Sequence, residues 1–69
     1  PNPVQDEIHL TEELKTKFTT YTIYSLFGEI EQTGVISETI LMGNLRNGHY
    51  ILELANPSKK QFAKLLKVN

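Results

Sequence analysis

Residues 18–27 read FTTYTIYSLF, a stretch rich in the β-branched and aromatic residues that β-strands favour. Gly28 follows it directly, so residues 26–29 predict a hairpin corner in which Gly28 has a positive φ. Residues 29–33 alternate weakly between polar and apolar side chains, and we expect this second strand to end at Gly34. With period two, the first strand divides into one face with Thr19, Tyr21, Ile23 and Ser25, and another with Phe18, Thr20, Thr22 and Tyr24.

Shorter strands are predicted on both sides of this hairpin. Residues 7–11 alternate polar and apolar side chains, and residues 35–36 and 39–42 flank a turn at Ser37-Glu38. Residues 50–54 alternate clearly after the turn dipeptide Asn47-Gly48, which predicts Tyr50, Leu52 and Leu54 in the core and Glu53 facing outward. Residues 11–15 predict a loop with helical character, with Thr11 as its N-cap.

Length and composition limit the kind of protein. The chain has 69 residues, 39% of them hydrophobic, and no Cys. Such a length has room for one small core, so we expect a single domain over residues 1–69, stabilised by apolar packing rather than by disulfides or thiolate–metal sites. Five or more short strands, separated by Gly, Asn and Pro, predict an all-β sandwich. Apolar runs of at most three residues exclude a membrane-spanning helix, which needs about 20.

The C-terminal segment fits two structures. Residues 58–61 match a helical capping box, and Phe62, Leu65 and Leu66 have the spacing of an amphipathic helix. This pattern favours the helix, but a strand is also possible, with Phe62, Lys64, Leu66 and Val68 on one face. From the residues alone both structures stay open.

Charge is unevenly distributed along the chain. Residues 1–58 carry three basic and eight acidic side chains, a net charge of −5, whereas residues 59–69 carry four lysines and no acid. A weakly acidic body with one basic end is not the basic face that nucleic acids need. The lysines fit a solvated edge strand whose charges keep it from pairing with other chains. They also fit a recognition tail.

No pattern of residues predicts catalysis. The serines lack a G-x-S-x-G context, and the four glycines are isolated and assigned to turns. Asp6, Glu7 and His9 could contribute to a metal site, but Glu7 and His9 are better explained as solvent-facing neighbours of buried Ile8 and Leu10. Three tyrosines could form a platform for a sugar, although Tyr50 fits the core better. Phe27 and Leu41 are predicted to be exposed and to mark a contact surface.

Four motifs together resemble the C-terminal domains of proteins exported by the type IX secretion system. The opening Pro1-Asn2-Pro3 is similar to the family's first motif, and residues 23–28 resemble its hydrophobic-Y-x-x-x-G strand and corner. Leu45, Gly48 and Tyr50 match the L-x-x-G-x-Y element, and residues 64–67 resemble the closing K-x-x-K run. The resemblance implies a small immunoglobulin-like antiparallel β-sandwich of about six or seven short strands, in which the final basic segment is a strand.

The resemblance also implies a function without catalytic residues or cofactors. Such domains are sorting signals that direct their cargo through the periplasm and across the outer membrane to the cell surface or the extracellular space. The implied partners are the outer-membrane translocon, a shuttle barrel and a surface sortase, which commonly removes the domain and attaches the cargo to lipopolysaccharide. The residues expected to take part in recognition are Lys60, Lys64, Leu65, Leu66, Lys67 and Val68.

Two further expectations concern context and association. Because the sequence opens at Pro1 rather than at Met, we expect it to be part of a longer secreted protein. A terminal strand can also pair or exchange with a second copy and form a homodimer. The alternative to a sorting signal is a surface immunoglobulin-like module for adhesion, docking or carbohydrate binding, since β-sandwiches support many functions.

Overall fold

A computed structural model of the protein describes residues 6–68. This part of the chain forms six strands and one short helix. In chain order they are β1 (Glu7–His9), α1 (Glu12–Lys17), β2 (Thr20–Ser25), β3 (Ile30–Val35), β4 (Thr39–Leu41), β5 (Gly48–Asn56) and β6 (Lys59–Lys67).

The strands form two antiparallel sheets. One contains β1 and β4, and the other has the order β3-β2-β5-β6. Apolar side chains from both sheets share one core, which confirms the predicted all-β sandwich of six or seven short strands. The core consists of Ile8, Phe18, Ile23, Ile40, Met42, Tyr50, Leu52, Leu54 and Leu65.

The β2–β3 hairpin forms where it was predicted. Gly28 has a φ of 87°, which confirms the positive φ expected at the corner. The amide of Ser25 donates to the carbonyl of Glu29 across 2.8 Å and closes the loop. Gly34, however, does not end β3; that expectation was wrong. The glycine lies inside the strand, directly opposite Tyr21, where its missing side chain leaves space for the tyrosine ring.

The alternation in β5 is confirmed for its apolar face. Tyr50, Leu52 and Leu54 are all buried, as expected. Glu53 lies on the opposite face, as expected, but it is only 7% exposed. The reason is that β5 is an interior strand, and Glu53 is enclosed by the neighbouring Tyr24 and Lys60 side chains.

Residues 12–17 form a helix rather than the expected loop. The predicted cap is present, because Thr11 Oγ1 accepts a hydrogen bond from the Leu14 amide across 3.2 Å. Lys15 then joins the helix to the body through Glu38, with 2.7 Å between Nζ and Oε1. This tertiary contact supports a helix too short to persist alone. No helix in the described range is long and apolar enough to cross a membrane.

The C-terminal segment is the strand β6, not a helix. Its register with β5 places Leu65 opposite Tyr50 and Phe62 opposite Glu53. Leu65 therefore faces the core, whereas Phe62 lies on the outer face of the sheet and is 59% exposed. Phe62 and Leu66 share one face, as expected, but it is the outer face, because the buried side of β6 is the one that contains Leu65.

Candidate recognition strand

β6 occupies one edge of the four-stranded sheet among the strands of residues 6–68. Nine residue pairs join it to β5, from Asn56 opposite Lys59 to Gly48 opposite Lys67. The long pairing begins at a turn in which Asn56 Oδ1 accepts a hydrogen bond from the Ser58 amide across 2.8 Å. A firm partner on one side therefore holds this segment extended along its entire length.

The two halves of β6 differ in exposure. The first six residues, Lys59–Lys64, are all exposed, although their backbone belongs to the sheet. Leu65 is only 4% exposed and Lys67 only 1%, because the register places both on the core side next to β5. The strand thus consists of an exposed basic half and an anchored half.

A small polar network fixes the exposed half to the outer face of the sheet. Lys60 Nζ lies 3.6 Å from Glu53 Oε2, and the Tyr24 hydroxyl donates to the same oxygen across 3.4 Å. The Lys60 side chain remains mostly exposed, whereas the carboxylate is enclosed. Glu53 therefore balances part of the charge of β6 without removing Lys60 from the surface.

The six residues expected to take part in recognition occupy different environments. Lys60 and Lys64 are exposed, and Leu66 and Val68 are half-buried. Leu65 and Lys67 lie inside the folded domain. In this conformation a partner can contact the Lys60 and Lys64 side chains directly. Leu65 and Lys67 are buried and instead hold β6 in position.

The L-x-x-G-x-Y element forms the corner that leads into β5. Leu45 packs against the core, and the Tyr50 hydroxyl donates to the Arg46 carbonyl across 2.6 Å. Gly48 has a φ of 147°, a backbone conformation that favours glycine. Tyr50 is also the residue opposite Leu65, so this corner sets the register that anchors β6. Pro1, Asn2 and Pro3 lie outside the described residues.

Other candidate chemistries receive little support. His9 Nε2 pairs with Glu7 Oε1 at 2.8 Å on an exposed face, and residues 6–68 contain no group of three or more metal-ligating side chains. The tyrosines do not form a common platform. Tyr21 binds Gln32, Tyr24 binds Glu53 on the outer face, and Tyr50 is buried.

One feature of β6 was not predicted from the sequence. A shallow concavity of about 340 Å³ lies over the β5–β6 pair, lined by Ile51, Phe62, Ala63 and Lys64. The alternation Lys60-Phe62-Lys64 is its sequence signal, since period two places the three side chains on one face. The sequence alone does not show that this alternation faces outward. That becomes clear only once the face containing Leu65 is known to be buried.

Comparison with known protein families matches residues 1–68 to the secretion system C-terminal sorting domain. No curated protein and no solved structure matches the chain. The family match covers nearly the entire sequence and includes both the L-x-x-G-x-Y corner and β6. The chain therefore belongs to the family of type IX secretion system C-terminal sorting domains, which are in general sorting signals and not catalysts.

Proposed function

We propose that this domain is read in its folded state, through the exposed half of β6, as the signal that sends its cargo across the outer membrane. The observation that carries the proposal is the contrast within β6: Lys59–Lys64 is exposed, whereas Leu65 and Lys67 are buried. An edge strand fixed at its far end presents backbone and side chains in one defined conformation. A partner that adds a strand obtains affinity from main-chain hydrogen bonds and specificity from alternate side chains.

Electrostatics favours an acidic surface on the receptor. The exposed half contains Lys59, Lys60 and Lys64, while residues 1–58 have a net charge of −5. Such a separation orients the domain as it approaches an acidic receptor and raises the rate of encounter. We assign the receptor role to the translocon and the shuttle barrel of the type IX system.

Membership of the family supports the later steps of this proposal. After export, a surface sortase removes the domain and attaches the cargo to anionic lipopolysaccharide, which leaves the cargo at the outer-membrane surface or releases it outside the cell. In this scheme the domain is a substrate and a ligand, and its residues take no part in bond breaking. The identity of the cargo is independent of the signal.

A reporter fused to residues 1–69 tests the proposal in a host with a type IX system. Deletion of residues 60–69 should leave the reporter in the periplasm, but that deletion also removes Leu65 from the core. The sharper variant is Lys59→Glu/Lys64→Glu, which reverses two exposed charges of β6 and keeps the Lys60–Glu53 ion pair. We expect it to reduce surface display about tenfold, as a loss of about 1.4 kcal/mol in receptor binding would, while the purified domain keeps its circular dichroism spectrum.

The matched control reverses the same number of charges elsewhere. Lys17 and Arg46 are both exposed and lie outside β6, so Lys17→Glu/Arg46→Glu changes the net charge equally. This control should be displayed like the wild type. Normal display of the Lys59→Glu/Lys64→Glu variant, or equal loss in the control, would show that β6 is not the recognised surface.

A further inference from the structure

The tip of the β2–β3 hairpin is apolar, exposed and rigid. Phe27 is 94% exposed, and Leu26 beside it is also exposed. Ser25 holds the turn: its Oγ accepts hydrogen bonds from the amides of Phe27 and Glu29, at 3.1 and 3.3 Å, and its carbonyl accepts from Gly28 at 3.0 Å. Because these hydrogen bonds already hold the backbone of the turn, docking orders only the Phe27 side chain, so this tip has the properties of an interface anchor.

The surroundings of the tip define the surface it fits. Residues 18–45 contain no Lys, Arg or His, and Glu29 and Glu31 lie next to the tip on β3 and its loop. Repulsion between these carboxylates and acidic lipids opposes docking on an anionic membrane. The complementary surface is an apolar depression with a basic rim.

The same chain carries a depression of that kind. The concavity over β5 and β6 is lined by Ile51, Phe62, Ala63 and Lys64, and its surface is mostly apolar. Lys60 lies on the same face of β6, one position beyond Phe62 in the alternation. Phe27 is nearly fully exposed, so the tip of a copy does not fill that copy's own concavity.

We propose that the hairpin tip of one copy docks into the β5–β6 concavity of a second copy. Phe27 enters the apolar depression, and the carboxylates of Glu29 and Glu31 approach the lysines at its border. The contact is small, so it is weak in dilute solution. It becomes significant where many copies are concentrated on one surface, because the local concentration is then high.

This arrangement differs from direct pairing of two β6 strands. Pairing β6 with β6 brings the exposed lysines of one copy close to those of the other, and like charges opposite one another destabilise a sheet. Docking of the tip instead joins an acidic region to a basic one. The contact leaves the backbone edge of β6 available but uses the side chains of Lys60 and Lys64, so within one copy it and recognition through these lysines exclude each other.

Sedimentation velocity of the 69-residue chain, from about 10 μM to about 1 mM, tests the proposal. The weight-average mass of the wild type should rise with concentration, and the rise should be smaller in high salt. Phe27→Ser removes the aromatic tip, and Phe62→Ser removes the largest apolar side chain of the concavity; each variant alone should stay monomeric. An equimolar mixture should associate into a one-to-one dimer, because one variant keeps the concavity and the other keeps the tip.

Val35→Ser is the matched control, since Val35 is another exposed apolar residue of the same sheet. It should associate like the wild type, and all variants should keep the wild-type circular dichroism spectrum. A wild type that is monomeric at about 1 mM, or a mixture that does not associate, would overturn the proposal. Loss of association in the control would do the same, because it would indicate non-specific hydrophobic contact. If the wild type is monomeric but Phe27→Ser abolishes export, the tip binds a secretion protein and not a second copy.

Discussion

The ring of Tyr21 lies directly against the backbone of Gly34 on the neighbouring strand. A Cβ atom on Gly34 would be 2.8 Å from Cε2 of that ring and 3.0 Å from its hydroxyl oxygen. The ring is held there by Gln32, whose Nε2 donates to the Tyr21 hydroxyl across 3.0 Å and to the Leu41 carbonyl across 2.7 Å. One glycine thus permits a contact that joins β2, β3 and β4.

We predict that Gly34→Ala destabilises the domain by about 1–3 kcal/mol, the usual cost of overpacking. The added methyl group displaces the Tyr21 ring and weakens the Gln32 bridge to β4. Gly43→Ala is the matched control, because no atom lies within 4 Å of a Cβ at Gly43. Urea unfolding followed by tyrosine fluorescence measures both changes, and equal stability of the two variants would contradict the proposed contact.

Gly48 gives a prediction about backbone strain alone. Its φ is 147°, and nothing lies within 4 Å of a Cβ built there, so a side chain meets open space but an unfavourable backbone. Gly48→Val should therefore cost about 1–3 kcal/mol through strain at the start of β5. The free energy of unfolding tests this against Gly43→Val, where Cβ also meets open space. If Gly48→Val lowers the free energy of unfolding no more than Gly43→Val does, β5 begins without such strain.

The sequence predicted the fold class because strand periodicity and turn residues are local signals. The alternation of Tyr50, Leu52 and Leu54 and the corner at Gly28 follow from chain geometry and hold in the structure. Gly34 and Glu53 could not be placed this way. A glycine under a tyrosine ring and a carboxylate enclosed by two other strands depend on which strands are neighbours, and this information is absent from local sequence.

The candidate site shows the same limit. Composition alone located the basic segment at residues 59–69, and the family resemblance identified it as a strand. Which lysines are exposed depends on register, since one step of pairing exchanges the two faces. Lys60 and Lys64 lie on the outer face only because Tyr50 pairs with Leu65.

The ion pairs of Lys15 predict a pH dependence. Hydrogen bonds to Glu12 and Glu38 raise the pKa of Lys15, and the hydrogen bond from Lys15 lowers the pKa of Glu38. The Glu38 contribution is therefore present above the ordinary glutamate range and is lost as the pH falls below about 4. The Lys15 contribution is complete at neutral pH and is lost only as the pH rises above about 10.4.

We accordingly expect Glu38→Gln to reduce the difference in stability between pH 7 and pH 3. The effect should be small and should weaken in high salt, because the Glu38 carboxylate is exposed. Thermal unfolding at the two pH values measures it, with Glu13→Gln as the control on the same helix. A Glu38→Gln variant with the pH dependence of the wild type would indicate that the contact adds no stability.

β6 provides a final test that separates anchoring from recognition. Leu65 is 4% exposed and packs in the core, so Leu65→Ala should cost about 2–5 kcal/mol. Leu66, on the opposite face, is half-buried, so Leu66→Ala should lower the free energy of unfolding clearly less than Leu65→Ala. If the folded strand is the signal, Leu65→Ala should lower reporter display in proportion to the fraction of unfolded domain, and lower temperature should restore display. Full display of a Leu65→Ala domain that is unfolded in solution would mean that the machinery reads an extended chain and not this sandwich.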